Sequence, residues 1–296
     1  MSKNLLNRKK MALVIQGGTM RSIFTAGVLD AFMAMKFNPF NYYIGVSGGA
    51  MCLSYYLTKQ RRCSYRILQS LHDDDKFINW RNMFSEQGMI NLEYLINYSQ
   101  DTYPVNKRKL NRKIITSKVE MVATSMDSGK PVYLSPNKFN ILDIVKASAT
   151  LPFLTKGEQL IDGKERLMDG GWSDPIPVKR AISLGYEDIV VIRTYPAKHR
   201  EKWTYFGKIG GYWHKNNPQL SELFDKDYSR YNDVADYLDK EHDGLNIYQI
   251  CPDDYLETTS YSTTRKKLDM DYQYGLHLGI NLADQLKRRI FKKKIV

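Results

Sequence analysis

Residues 44–50 read Ile44-Gly45-Val46-Ser47-Gly48-Gly49-Ala50. A β-prone run, 42–46, ends in this stretch, and a helix-compatible segment, 49–60 (GAMCLSYYLTKQ), leaves it at once. One hydroxyl stands among small residues, in a G-x-S-x-G pattern formed by Gly45, Ser47 and Gly49. In a strand-to-helix elbow the serine takes a strained backbone, and flanking glycines relieve the crowding that results. The first N–H groups of the following helix then favour negative charge near Oγ. A tight turn that happens to contain serine gives the same letters, so the surrounding sequence has to decide.

Upstream, residues 12–16 (ALVIQ) form a continuous apolar run ending in Gly17-Gly18, the pattern of a buried parallel strand. Across 21–36, Ile23, Phe24, Val28, Leu29, Phe32 and Met33 recur at helical spacing. Two strand–turn–helix units in sixty residues predict an α/β core with a mostly parallel sheet. Residues 188–194 (DIVVIRT) and 246–251 (NIYQIC) read as further core strands. Residues 113–126 and 131–135 flank Asp127-Ser128-Gly129-Lys130, whose Asp and Gly suit a hairpin turn. The stretch 77–98 is more helical and rich in aromatics and methionine. The last forty residues read as a long helical stretch ending in a basic tail.

The chain has 296 residues, enough for one large domain or two small ones. With no repeat, linker or Pro/Gly-rich boundary, a single domain over 1–296 is expected. Its core spans about 12–194, with a helical insertion at about 61–112 and a C-terminal helical extension at about 225–296. No apolar run approaches the roughly 18 residues of a spanning helix. The N-terminal MSKNLLNRKK lacks an apolar h-region, so no signal peptide is read. Three cysteines (Cys52, Cys63, Cys251) without metal-ligand spacing fit free thiols in a reducing cytoplasm. Forty-four Lys+Arg against 32 Asp+Glu leave a net charge of +12, which favours polyanionic partners such as anionic lipid. Much of that charge lies in the two ends, where solvated basic tails are the plain alternative.

Two further turns carry chemistry. Gln16-Gly17-Gly18-Thr19-Met20-Arg21 sits between a strand and a helix, and its small residues leave backbone N–H groups unshielded, as an oxyanion hole requires. It does not satisfy G-x-G-x-x-G, which argues against a dinucleotide loop. Asp169-Gly170-Gly171 lets another backbone approach a carboxylate, although such a tripeptide alone is usually only a turn. Taken in this order, and with Ala147-Ser148-Ala149-Thr150-Leu151-Pro152 and the Pro175-x-Pro177 turn, the motifs resemble the patatin-like phospholipase family, closest to its compact bacterial members.

The resemblance covers most of 12–194. It implies a three-layer α/β/α fold and a Ser–Asp dyad that hydrolyses acyl esters without histidine. Ser47 then corresponds to the nucleophile and Asp169 to its general base. Gly17, Gly18, Thr19 and Met20 would form the oxyanion hole, and Arg21 and Gly48 would bind substrate. No metal or cofactor is implied. The substrate would be a phospholipid or other acyl ester, and the location cytoplasmic, with peripheral membrane contact. In one respect the chain departs from the family: Thr19 and Ser22 stand where glycines are usual. A threonine donates its N–H equally well but is strained if φ is positive.

The rivals are a Ser–His–Asp esterase using His242 or His277, an acyltransferase, and an inactive basic protein that binds lipid or nucleic acid. His277 falls in a helical segment and reads as packing. No zinc spacing, RNA-binding sheet motif or helix-turn-helix supports nucleic acid, which is not expected as a partner. His72-Asp73-Asp74-Asp75 and Asp253-Asp254 lack calcium-loop spacing and read as solvated helix ends. Finally, 203–215 (WTYFGKIGGYWHK) mixes aromatics with lysines around Gly210-Gly211. It suits either a membrane interface or a lid folded over the core.

Overall fold

The structure, a computed structural model, describes residues 10–292 except 84, 86, 87, 153, 156–158, 162 and 164. The side chains of 205, 206 and 290–292 are also outside the description. The basic ends at 1–9 and 293–296 therefore lie outside the described residues.

Eight described strands form one sheet: β1 (Met11–Ile15), β2 (Phe40–Val46), β3 (Lys118–Ser125), β4 (Pro131–Leu134), β5 (Gln159–Ile161), β6 (Glu165–Asp169), β7 (Asp188–Ile192) and β8 (Asn246–Ile250). The order is β5-β6-β3-β2-β1-β7-β8, with β4 also on β3. The β3-β2-β1-β7-β8 stretch is parallel, and β4, β5 and β6 add antiparallel pairs.

Alternation along the strands separates two cores. Leu13 and Ile15 of β1 and Val190 and Ile192 of β7 face one side; Ala12, Val14, Ile189 and Val191 face the other. Both sides are apolar because helices cover both faces, so these strands read as continuous hydrophobic runs. The first face carries α1 (Ser22–Ala34), α2 (Gly48–Leu57), α3 (Cys63–Leu71), α4 (Leu92–Thr102), α5 (Lys107–Thr116), α6 (Ile141–Ala149) and α11 (Arg265–Lys292). The second carries α7 (Val178–Ser183) and α10 (Asp227–Leu238). Helices α8 (Tyr205–Trp213) and α9 (Pro218–Asp225) stand near the end of β6, where Leu220 and Phe224 pack on Met168. The expected three layers are present, and α3, α4 and α5 lie between α2 and β3 in the chain.

The hairpin at 127–130 joins β3 to β4, with Gly129 at φ 65° and its N–H donating to the Ser125 carbonyl at 2.8 Å. One boundary differs from expectation: residues 113–116 finish α5 instead of beginning the strand. β8, expected as a core strand at 246–251, completes the sheet from the C-terminal part of the chain.

Helix α11 crosses α1 with almost no space between the backbones. A Cβ on Gly275 would collide with the Phe24 carbonyl oxygen, and one on Gly27 with that of Tyr272. The same crossing is tied by Asp30, buried in α1, which accepts hydrogen bonds from Tyr272 Oη at 2.8 Å and from the Arg62 N–H at 2.9 Å. Gly275→Ala is expected to destabilise the protein by roughly 2–3 kcal/mol, the scale of overpacking against a rigid backbone. Chemical denaturation reads this directly. An unchanged midpoint would mean the two helices separate at little cost.

Candidate active site

Sheet register brings the two key residues together. β2 pairs with 118–122 of β3, ending at Val46 opposite Val122, and β6 pairs with 123–125, ending at Asp169 opposite Ala123. Since β4 occupies the other edge of β3 over 121–124, β2 and β6 lie end to end on one edge. They run towards each other, so their last residues meet. β1 and β7 end at the same place, and the turns after all four strands line one cleft of about 280 Å³. Carboxyl ends of strands beside a reversal in strand order are where open α/β sheets place ligands.

Ser47 sits at the tip of the elbow with φ 55° and ψ −129°, a strained combination for any residue with a side chain. It is 8% exposed. The turn is pinned from below: the Ser47 N–H donates to Ser148 Oγ at 2.8 Å, and Ser148 Oγ donates to the Val122 carbonyl at 2.5 Å. Ser148 is the buried serine of the Ala-Ser-Ala-Thr-Leu-Pro motif, and this pair of hydrogen bonds accounts for its place there. On the other side, a Cβ on Gly17 would lie 2.8 Å from Ser47 Cβ, so only glycine lets that backbone come so close to the hydroxyl.

Asp169 is 4% exposed and lines the same cleft as Ser47. Its Oδ1 accepts the Gly171 N–H at 2.7 Å. Its own backbone is held by Thr150, whose carbonyl accepts the Asp169 N–H at 2.6 Å, and by Thr124 Oγ1, which donates to the Asp169 carbonyl at 2.8 Å. Burial raises the carboxyl to about 6, against the opposing pull of the Ser47 hydroxyl and the Gly171 N–H. A carboxylate with that affinity for protons is a useful base near neutrality and remains mostly ionised at pH 7.

Gly17, Gly18 and Thr19 line the cleft, and no hydrogen-bond partner for their N–H groups is found among the described residues. Met20 is different. Its N–H donates to the Ser260 carbonyl at 3.3 Å and its side chain is buried, so it is not oriented to the cleft as the sequence suggested. Thr19 has φ 49°, the strained alternative, whereas Ser22 has an ordinary helical φ of −62° and needs no glycine. Thr19→Gly should therefore stabilise the protein by about 1–2 kcal/mol and raise kcat toward short acyl esters. Unfolding and turnover measured side by side check both halves, and a loss of stability would show that the loop needs the threonine side chain.

Arg21 lies at the cleft with its guanidinium 3.8 Å from the Tyr195 ring centroid, and its Nη1 donates to Ser260 Oγ at 2.7 Å. Tyr195, Ser260 and Tyr261 are cleft residues that sequence reasoning missed. Tyr195 follows a recognisable strand, but Ser260 and Tyr261 come from a loop with no local signal. Gly48 opens α2 and faces a second, apolar pocket of about 40 Å³. That pocket runs from Thr19 and Ser47 to Met51, Leu68, Phe77 and Ile90, so the stretch between α2 and β3 supplies much of its wall.

Among the described residues no histidine lines the cleft. His242 stacks on Tyr237 and its Nε2 is 2.8 Å from that residue's carbonyl. His277 is not packed in the core, as read from the sequence. It lies on the exposed side of α11, next to Asn281.

A family model for patatin-like phospholipase matches residues 13–182, and a domain of unknown function (DUF6363) matches 217–291. The protein YjjU of Escherichia coli (strain K12), itself described as uncharacterized, is 31% identical over 272 residues, covering 91% of this chain and 76% of YjjU. The chain belongs to the patatin-like phospholipase family. Solved structures with 13% identity include VipD from Legionella pneumophila, at a TM-score of 0.48 over 94% of this chain and 67% of VipD. The type III effector protein ExoU gives 0.30 over 75% and 53%.

Proposed function

We propose that the protein is a serine lipid acyl hydrolase that cleaves a phospholipid or other acyl ester with a Ser47–Asp169 dyad. The observation that carries this reading is a buried carboxylate, raised to about 6, that shares one cleft with an elbow serine, with no histidine among the described residues lining it. Asp169 takes the Ser47 hydroxyl proton as Oγ attacks the ester carbonyl, and the N–H groups of Gly17, Gly18 and Thr19 stabilise the oxyanion. The proton passes to the departing alcohol and leaves an acyl-serine. Water then attacks the acyl-serine, with Asp169 again the base.

The apolar pocket beside Gly48 receives the acyl chain, and Arg21 faces the polar part of the substrate. At about 40 Å³ the pocket has room for only a few water-sized groups, so a long chain requires α3 or α4 to give way. The net charge of +12 favours catalysis at the surface of an anionic membrane; no helix among the described residues is long and apolar enough to cross one. The test is hydrolysis of a panel of phospholipids and short acyl esters with product identification, combined with fluorophosphonate labelling. Label on Ser47 together with released fatty acid supports the reading. A protein that neither labels nor turns over any ester refutes it.

A further inference from the structure

We infer that one face of α8 is the surface by which this protein docks on anionic lipid, beside the mouth of its cleft. The segment lies between the two matched regions, 13–182 and 217–291, and belongs to neither.

The inference rests on an inverted helix. Helices on protein surfaces usually bury their large apolar residues and expose their small or polar ones. Among the described side chains of α8, the buried positions are Gly207, Gly210 and Gly211, and Lys208, Ile209, Tyr212 and Trp213 are exposed. The glycines seat α8 on α9: a Cβ on Gly210 would be 2.7 Å from the Phe224 ring, and one on Gly207 2.6 Å from the Phe224 carbonyl. Thr204 fixes the start of the helix, accepting the Gly207 N–H at 3.0 Å and donating to Asp227 Oδ2 at 3.0 Å. The large side chains are therefore held outward by close backbone packing.

Exposure is concentrated there. Of ten large apolar side chains found exposed, four fall in the eleven residues 203–213: Trp203 at 40%, Ile209 at 46%, Tyr212 at 69% and Trp213 at 67%. Lysines accompany the rings, with Lys208 Nζ 4.6 Å from the Trp203 centroid and Lys215 Nζ 5.0 Å from that of Tyr212. Rings that combine an apolar body with a polar edge, flanked by ammonium groups, match the boundary between acyl chains and anionic headgroups. A protein partner would leave the lysine complement unexplained unless it were acidic, so lipid is the simpler occupant.

The face is also well placed. Phe224, on which α8 sits, packs edge-on against Trp172 at 4.7 Å, and Trp172 lines the cleft. A further exposed tryptophan, Trp80, packs edge-on against the cleft residue Tyr261 at 6.1 Å. Seated on this face, the protein would take acyl esters directly from the surface layer. That consequence rests on the hydrolase reading above, but docking itself does not.

The test uses the full-length protein with vesicles of phosphatidylcholine alone and of phosphatidylcholine with phosphatidylglycerol. Wild type should cosediment with the anionic vesicles and shift its tryptophan emission to the blue. Ile209→Ser with Tyr212→Ser and Trp213→Ser should weaken partitioning at least about tenfold. Lys208→Gln with Lys215→Gln should weaken it roughly fivefold per lysine on anionic vesicles only. Both variants should keep the wild-type unfolding midpoint and the wild-type rate on a water-soluble short ester. Wild type that ignores both vesicle types, or a serine variant that partitions like wild type, overturns the inference. Vesicle binding that depends on this face in a protein inert toward every ester would uphold the inference and sink the hydrolase reading instead.

Discussion

Ser47→Ala is expected to lower ester turnover by roughly four to six orders of magnitude, the scale on which removing an acyl-enzyme nucleophile acts. Alanine keeps Cβ, so the elbow at φ 55° and the Ser47 N–H bond to Ser148 survive, and only Oγ is lost. The protein should remain folded with a midpoint close to wild type. Ser47→Gly separates geometry from chemistry: it should be equally inactive yet more stable by about 1–2 kcal/mol, because glycine tolerates the positive φ that a side chain does not. Turnover and denaturation of the pair measure both effects. Substantial residual activity in either variant would make Ser47 a structural residue.

Asp169→Asn should reduce turnover by about four orders of magnitude, since the amide keeps the shape but accepts no proton. Replacing His242 or His277 by alanine should leave the rate within a few-fold. If either histidine mattered as much as Asp169, a triad would replace the dyad. In the wild type, kcat/KM should fall as pH drops through about 6, where the buried carboxyl takes up its proton. Asp174 is also raised to about 6 by burial, while Tyr133 Oη donates to its Oδ2 at 2.9 Å. Asp174→Asn should therefore retain the acid limb that belongs to Asp169.

Stability should move the opposite way from activity at this position. The folded carboxyl has its affinity for protons raised above the unfolded value, so its contribution is fully present below about pH 4 and is lost as pH rises to about 6. Relative to wild type, Asp169→Asn should thus gain on the order of 2–3 kcal/mol between pH 4 and pH 7 and change little above that. A stability difference that is flat with pH would mean that Asp169 does not feel its burial.

Most of the parallel sheet was legible because burial on both faces makes its strands continuous apolar runs. β1, β2 and β7 carry that mark; β8, a half-buried edge strand, carries it only in part. β5 and β6 do not: in QLIDGKERLMD the charges mask two short strands. Asp169 consequently read as part of a turn, when it is the last residue of β6. The α8 segment was ambiguous for a different reason. Its composition fits both a membrane face and a lid, and only the burial of its glycines distinguishes which side meets the protein.

The amino-acid sequence by itself determined the elbow, the glycine-rich turn and the Asp-Gly-Gly turn, because each is a local conformation that demands particular small residues at fixed spacing. It also located the departure at Thr19. Tertiary structure alone decided that Thr19 is held at positive φ, that Met20 turns its N–H to Ser260, and that Ser148 pins the elbow. It also decided that Ser47 and Asp169, 122 positions apart, line one cleft. That meeting depends on two strands ending head to head on one edge of β3, which is a matter of register between distant segments. Spacing along the chain carries no information about such register, because it is set by which strands pair and where each pairing stops.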